Sequence, residues 1–169
     1  SGAGIYRKVT LTEVPVKHLE LEDIFVTMNF SSRLCKVEVH IDHPEQVQAL
    51  LVKNSYTYEG KLKDEVIEIE VPDYIPWSAE QPELYNLELK LMENGTLVDR
   101  ITMKTGLREV VIDPNDGLFV NGKSVKLKGV CIHQDAGCLG NAVPPEIWKE
   151  RLLKLKEFGC NAIRLAHHL

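Results

Sequence analysis

Residues 85–105, YNLELKLMENGTLVDRITMKT, decide the fold of the first part of the chain. Apolar and charged residues alternate over Leu87–Met92, the period-two pattern of a strand with one face on a core and one in water. Asn94-Gly95 follows and favours a tight two-residue turn. A second strand pattern, Leu97–Thr105, continues beyond that turn. The stretch therefore predicts an antiparallel hairpin.

The same alternation occurs upstream of this hairpin. It runs through Val37–Ile41 and Ile67–Val71, and weaker strand patterns cover Asp23–Phe30 and Gln46–Val52. Six or seven short strands without a good amphipathic helix are typical of an antiparallel sandwich of immunoglobulin type, here over residues 9–112. The Cys-Trp-Cys hallmark of antibody domains is missing, so the pattern predicts the architecture alone.

The pattern changes after the turn-rich residues 113–117, DPNDG. Asn121-Gly122 predicts a second tight hairpin. Gly129–Ile132 is a short apolar strand without alternation, which indicates a strand buried on both faces. These features mark a second region, residues 113–169.

A helix and another strand follow in this second region. Pro144-Pro145-Glu146 begins the helix, Glu150 and Lys154 stand at the spacing of a helical ion pair, and Gly159 ends it. Asn161–Leu165 is the next apolar strand. Strand, loop, helix and strand predict a βαβ unit with parallel strands and a right-handed crossover.

Two parallel strands and one helix cannot bury their own faces. A (β/α)₈ barrel needs about 250 residues, so we expect residues 113–169 to be the start of a truncated barrel within a longer protein. We also expect the exposed apolar faces to be mobile, repacked on the sandwich or buried by self-association. Residues 1–8 are expected to be the exit of a preceding domain or a vector-derived remnant.

Composition excludes several classes of function. The formal net charge of -5 repels nucleic acid and anionic membranes, and no apolar run approaches the roughly 18 residues of a membrane span. The four cysteines do not form a disulfide framework. Phosphate-loop and dinucleotide motifs are absent, so we expect no cofactor. The compartment stays open.

Polar residues follow both predicted parallel strands. His133 and Asp135 come after the first strand, and Arg164 and His167 belong to the end of the second. Ligands of α/β proteins bind beyond the carboxyl ends of such strands, so these residues predict a ligand site. Solvated or capped loop residues are the structural alternative.

A zinc site is a competing interpretation of the same loop, with Cys131, His133, Asp135 and Cys138 as ligands. The loop lacks a paired Cys-x-x-Cys knuckle, which favours Cys131 as a small core residue. We therefore expect no metal.

These motifs resemble glycoside hydrolase family 2, the β-galactosidases and β-glucuronidases. Residues 121–169, NGKSVKLKGVCIHQDAGCLGNAVPPEIWKERLLKLKEFGCNAIRLAHHL, are similar to the start of that family's catalytic barrel. Upstream, PWSAEQPELYNLEL (76–89) and TGLREVVI (105–112) resemble the family's sandwich end and the segment that enters the barrel. GIYRKVTL (4–11) is similar to the exit from the preceding domain.

The resemblance implies a part of a retaining glycoside hydrolase that acts on β-galactosides or related β-glycosides in carbohydrate metabolism. It implies that Arg164, His133 and His167 line the pocket of the non-reducing sugar, and Asp135 joins them as a substrate-binding candidate. The family's catalytic glutamates lie later in the barrel, and its acid/base follows an asparagine. No Asn-Glu dipeptide occurs here, so we expect no catalytic residue in this chain and no activity from the chain alone.

A second hypothesis comes from a different class of protein. The sandwich could be a non-catalytic module that binds a carbohydrate or a partner protein. Saturable binding of oligosaccharides by the sandwich alone would favour it. Glycoside hydrolysis by the longer protein would favour the enzyme.

Overall fold

The computed structural model describes residues 4–5 and 8–166, which form two compact units. One unit is residues 13–125, and the other combines residues up to 12 with residues from 126 onward. The first unit contains strands only, apart from two short 3-10 turns. Its strands are β1 (Ile24–Asn29), β2 (Leu34–Val39), β3 (Val47–Lys53), β4 (Tyr56–Glu59), β5 (Lys61–Lys63), β6 (Val66–Glu70), β7 (Tyr85–Glu93), β8 (Thr96–Thr105), β9 (Val110–Asp113), β10 (Gly117–Val120) and β11 (Lys123–Ser124).

Two four-stranded sheets build the predicted sandwich. Their strand orders are β1-β2-β6-β5 and β4-β3-β7-β8, and every pairing is antiparallel. Both sheets contribute to one core, in which Val37, Leu51, Ile69, Leu87 and Leu89 are fully buried. No charged or polar residue of the described ranges is buried. In β2, β3, β6 and β7 the inward residues are the apolar members of the alternating pattern, which confirms the antiparallel sandwich.

Both predicted Asn-Gly turns form. Asn94 and Gly95 adopt φ values of 50° and 78° between β7 and β8, and Asn121 and Gly122 adopt 50° and 73° between β10 and β11. Positive φ at both central residues is the geometry that matches the twist of a two-residue hairpin. Asparagine and glycine tolerate that geometry better than other residues.

Gly60 lets the chain cross from one sheet to the other. β4 pairs with β3 in one sheet and β5 pairs with β6 in the other, with Gly60 alone between them. Its N–H donates to the Ala49 carbonyl at 2.9 Å. A Cβ at this position would lie 2.3 Å from Cγ2 of Ile67, so the crossing requires glycine.

A third, three-stranded sheet has the order β11-β10-β9. Residues 113–117, expected to be a joint between two regions, form the turn between β9 and β10 within the first unit. The Asp113 carboxylate accepts the N–H groups of Asn115 and Asp116 at 2.8 and 2.9 Å. These hydrogen bonds favour the ionised form and lower the pKa of Asp113.

The second unit contains β12 (Gly129–Ile132), α1 (Pro145–Glu157) and β13 (Ala162–Leu165). β12 and β13 pair in parallel, so the strand–helix–strand arrangement follows the sequence prediction. Gly159 ends the helix with φ +85°, donating to the Lys156 carbonyl at 2.9 Å, while the Cys160 N–H donates to the Leu155 carbonyl at 3.0 Å. This pair of hydrogen bonds is the Schellman motif. A short 3-10 turn, Gly137–Leu139, lies in the loop before α1.

The expectation that β12 is buried on both faces is wrong for this chain. Val130 of β12 is 38% exposed, and Ile163 of β13 is 41% exposed. Within the described residues, β12 pairs with β13 alone and α1 is the one α-helix. One helix and one neighbouring strand cover too little of a strand to bury it. No helix of the described part of the chain is long and apolar enough to cross a membrane.

Candidate functional site

The parallel pair β12–β13 positions Arg164 opposite Cys131. Side chains alternate along a strand, and residues that are register partners lie on the same face of the sheet. Nη1 of Arg164 accordingly lies 3.8 Å from Sγ of Cys131, within hydrogen-bonding reach of a sulfur acceptor. Both residues are exposed, so most donors of the guanidinium remain accessible from solvent.

His133 and Asp135 lie beyond the carboxyl end of β12, in the loop that leads to α1. Both are exposed. The helix holds this loop, because Nη1 of Arg151 donates to the Asp135 carbonyl at 3.0 Å. The guanidinium of Arg151 also lies 5.1 Å from the centroid of the Trp148 ring, a cation–π distance. The Asp135 backbone is therefore fastened to α1.

An open concavity of about 460 Å³ lies beside these residues. Its walls come from β12, the following loop and one face of α1. The residues that line it are Val130, Cys131, Ile132, His133, Asp135, Arg151, Lys154, Leu155 and Phe158. The concavity combines an apolar floor with a carboxylate, an imidazole and two cations, which suits a ligand with polar groups on an apolar frame.

The structure does not bring all four predicted residues to this concavity. His133 and Asp135 line it, whereas Arg164 is absent from its lining and contacts Cys131 instead. His167 lies outside the described residues. The assignment of these four residues to one sugar pocket therefore stays a prediction.

Lys154 is held as a cation at the edge of the concavity. Its Nζ lies 2.8 Å from Oε1 of Glu150, the helical ion pair expected from the sequence. The hydrogen bond and the charge of the partner raise the pKa of Lys154 and lower the pKa of Glu150. Both side chains are largely solvent-exposed, so the pair orients Lys154 and contributes little to stability.

The zinc interpretation receives no support from the geometry. Within residues 4–5 and 8–166, no three His, Cys, Asp or Glu side chains are grouped so that they could hold a metal ion. All four cysteines are free. Cys35 is fully buried, and its burial raises the pKa of the thiol to about 12. Cys131, expected to be a small core residue, is exposed instead.

Aromatic residues of the first unit pack within the sandwich end. The Trp77 ring lies under the Arg108 guanidinium at 4.5 Å, and a Cβ at Gly106 would lie 2.6 Å from its Cδ1. Tyr74 meets Phe30 edge-to-face, with ring centroids 6.4 Å apart. Both are packing contacts within the first unit.

Sequence reasoning missed Arg151 as a residue of the site. Arg151, Lys154, Leu155 and Phe158 stand at i, i+3, i+4 and i+7, so they occupy one helical face. That spacing could have placed them together. Nothing in the sequence could have shown that this face meets the His133 loop.

The chain is similar to known glycoside hydrolases along nearly its whole length. Residues 18–108 match the model of the family described as glycosyl hydrolases family 2. A β-galactosidase of Bacteroides ovatus is 30% identical over 99% of this chain, and a β-glucuronidase of Bacteroides fragilis is 43% identical over 54% of it. The alignments cover 22% and 13% of those two proteins, so the chain spans about a fifth or less of their length.

Solved structures give the same picture. A glycosyl hydrolase family 2 member from Bacteroides cellulosilyticus superposes with a TM-score of 0.71 at 28% identity, covering 89% of this chain and 22% of that one. A β-glucuronidase from Ruminococcus gnavus superposes with a TM-score of 0.72 at 23% identity, over 91% of this chain and 26% of that chain. At that lower identity, the second likeness shows the fold alone.

Proposed function

The chain belongs to glycosyl hydrolases family 2, and from this membership we propose that it is part of a longer retaining glycoside hydrolase. The substrates are β-galactosides or related β-glycosides. The observation that carries the proposal is that family members match nearly the whole chain, including the unit with His133 and Arg164. These relatives include β-galactosidases, and a β-glucuronidase matches 54% of the chain.

In this proposal residues 9–112 are an immunoglobulin-like sandwich, and residues 113–169 begin the (β/α)₈ barrel. The parallel β12–α1–β13 arrangement supports a barrel start, because barrels repeat this unit. The exposed faces of β12 and β13 also fit strands that other barrel elements cover.

His133, Asp135, Arg164 and His167 bind the non-reducing sugar in the complete barrel. A guanidinium presents several N–H donors in a fixed fork and can hold either a sugar hydroxyl or a catalytic carboxylate. An imidazole can donate to one hydroxyl and accept from another. The exposed position of Arg164 and of His133 at the carboxyl ends of adjacent strands supports these roles.

The chain alone is proposed to be inactive. Retaining glycosidases use two carboxylates about 5 Å apart, one as acid/base and one as nucleophile. The family's acid/base follows an asparagine, and the 169 residues contain no Asn-Glu dipeptide. The chemistry therefore belongs to residues beyond this chain, and the chain supplies sugar contacts and scaffold.

A binding module is the second candidate function. One observation favours it: the sandwich carries a separate concavity of about 640 Å³ lined by Phe30, Tyr74 and Arg33, among others. Aromatic rings beside a guanidinium suit the apolar faces and hydroxyls of a sugar. In this case the sandwich binds carbohydrate with no hydrolysis by the longer protein.

One experiment separates the two candidates. The longer protein and the 169-residue chain are each incubated with nitrophenyl β-galactoside and nitrophenyl β-glucuronide, and nitrophenol release is followed. The enzyme proposal expects turnover by the longer protein and none by the chain. No turnover by the longer protein, together with saturable oligosaccharide binding by the chain, would support the binding module instead.

A further inference from the structure

We propose that Asn161 is a positioning residue that fixes the start of the β12–β13 pair and thereby holds Arg164 and His133 in place. The functional part of this inference rests on the proposed sugar-binding role of those two residues. The structural part rests on the hydrogen bonds of Asn161 alone.

Three hydrogen bonds join Asn161 to the segment before β12. Its side-chain Oδ1 accepts the Lys128 N–H at 2.7 Å, and its Nδ2 donates to the Lys126 carbonyl at 3.0 Å. Its own backbone N–H donates to the Lys128 carbonyl at 2.9 Å. Asn161 thus both donates to and accepts from the backbone of residues 126–128, and these three hydrogen bonds are called the Asn161 grip below.

These bonds set the register of the strands that follow. The pairing begins with Gly129 opposite Ala162 and places Cys131 opposite Arg164. A slip by one residue would turn every following side chain to the other face of the sheet. Arg164 would then leave the face that it shares with Cys131, and the Asn161 grip opposes that slip.

The strands approach closely at the same point. A Cβ on Gly129 would lie 2.6 Å from the Ala162 carbonyl oxygen. At the far end, the Ala166 N–H donates to the Ile132 carbonyl at 3.1 Å, next to His133. Hydrogen bonds therefore hold the β12–β13 pair at both ends, and Asn161 makes those at the beginning.

Only an asparagine-like group can make the grip. Its short amide presents an acceptor and a donor side by side, and aspartate at neutral pH presents acceptors alone. Ionised aspartate would place negative charge against the Lys126 carbonyl. A protonated aspartic acid, however, again has one acceptor and one O–H donor, so it restores the pattern.

Asn121 provides a matched control in the first unit. Its Oδ1 accepts the Glu109 N–H at 3.0 Å, its Nδ2 donates to the Trp77 carbonyl at 2.9 Å, and its N–H donates to the Glu109 carbonyl at 2.9 Å. This grip has the same chemistry as that of Asn161. It fastens a hairpin of the sandwich unit and touches no candidate sugar contact.

The test uses NMR on the 169-residue chain, with Asn161→Ala, Asn161→Asp, Asn121→Ala and Asn121→Asp. The Arg164 Hε and His133 ring resonances report the positions of these two side chains, called the rim below. Hydrogen exchange of the Lys128 amide reports whether its hydrogen bond to Asn161 is intact. We expect Asn161→Ala to shift both rim resonances and to speed Lys128 exchange. Asn121→Ala should change Trp77 and Glu109 amides and leave the rim unchanged.

The pH dependence of Asn161→Asp is the decisive readout. Protonation of the introduced carboxyl restores an O–H donor to the Lys126 carbonyl, while the Lys128 N–H can donate to either form, so the grip changes as pH passes the pKa of that carboxyl. The rim resonances should match wild type below that pKa and depart from it above. Asn161→Ala should show no such recovery, and Asn121→Asp should leave the rim unaffected at every pH.

Unchanged rim resonances and Lys128 exchange in Asn161→Ala would overturn the proposal, as would a rim shift of equal size in Asn121→Ala. In the longer protein, a misplaced Arg164 should lower kcat/KM for a nitrophenyl glycoside by about 100-fold, with partial recovery of Asn161→Asp at acidic pH. Absence of any hydrolysis by the wild-type protein would instead count against the proposed function. The NMR experiment would still test whether Asn161 positions Arg164 and His133.

Discussion

At the scale of single residues, Gly129 occupies a position where the neighbouring strand leaves no space for a side chain. The Ala162 carbonyl oxygen would lie 2.6 Å from an added Cβ, and this neighbour is backbone that cannot rotate away. We expect Gly129→Ala to push the strands apart and to cost the β12–β13 pair about 1–3 kcal/mol. Hydrogen exchange at Arg164 and Leu165 would measure this. Lys128→Ala, which removes an exposed side chain, is the control, and equal effects of both changes would contradict the account.

Cys35 gives a second prediction at this scale. It is fully buried, and its pKa is raised to about 12 from 9.0, so the unreactive thiol form persists at pH 8. Cys131 and Cys138 are exposed. Iodoacetamide at pH 8 should modify these two residues and spare Cys35 until the chain is denatured. Mass spectrometry of the digested protein would check this, and rapid modification of native Cys35 would show that the sandwich core is not closed as described.

The raised pKa of Cys35 also sets a pH dependence of stability. The folded-state pKa lies above that of the unfolded chain, so the thiol stabilises the fold fully below about pH 9. That contribution declines as pH rises toward about 12. Chemical unfolding at pH 8 and pH 10.5 should show a smaller loss of stability for Cys35→Val than for wild type. An equal loss in both proteins would contradict the burial effect.

At the scale of elements, helix α1 ends where its sequence predicts. Gly159 adopts φ +85° in the Schellman motif. A residue with a Cβ is strained in this conformation by about 1–2 kcal/mol. Gly159→Ala should therefore lower the stability of the helix end by about 1 kcal/mol, and Gly159→Asn should cost less because asparagine tolerates positive φ. Exchange of the Phe158 and Cys160 amides would measure both. No difference between the two variants would contradict the cap.

Elements with a one-sided core could be predicted from the sequence. The predicted strands around Val37, Ile67 and Leu87 match β2, β6 and β7, because one apolar residue in two faces a common core. β4 and β5 were missed. They are only four and three residues long and mostly exposed, so they show too little of the burial pattern that marks the longer strands.

The candidate site was predictable in its chemistry and less so in its geometry. The sequence pattern predicted that His133 and Arg164 lie at the ends of adjacent parallel strands, and the parallel pairing of β12 and β13 agrees with this. The contact of Arg151 with the Asp135 backbone, and the grip of Asn161, depend on tertiary approach of segments 16 or more residues apart. Spacing within one element carries no information about such contacts.

At the scale of the whole molecule, the two units differ in how well they bury apolar surface. The sandwich has a closed core, whereas Phe158, Leu165 and Leu153 of the second unit are 88%, 57% and 53% exposed. Such side chains favour association. We expect the chain to self-associate through this unit, with a sedimentation coefficient that rises with concentration.

A double variant tests this surface. Leu153→Glu with Phe158→Glu should reduce the association, because charge opposes burial of the shared surface. Leu97→Glu, at a sandwich residue that is 48% exposed, is the control and should leave it unchanged. A wild-type chain that sediments as a monomer at every concentration would refute the expectation.

We propose that this chain supplies sugar contacts to a longer family 2 glycoside hydrolase. This proposal is tested by kcat/KM of the longer protein for its nitrophenyl β-glycoside, compared between wild type, Arg164→Ala and the control Arg100→Ala. Arg100 lies on the sandwich, 3.8 Å from Glu88. We expect a loss of about 10- to 150-fold for Arg164→Ala, the worth of a charged hydrogen bond, and no loss for the control. Full activity of Arg164→Ala would show that Arg164 makes no contact that the reaction needs.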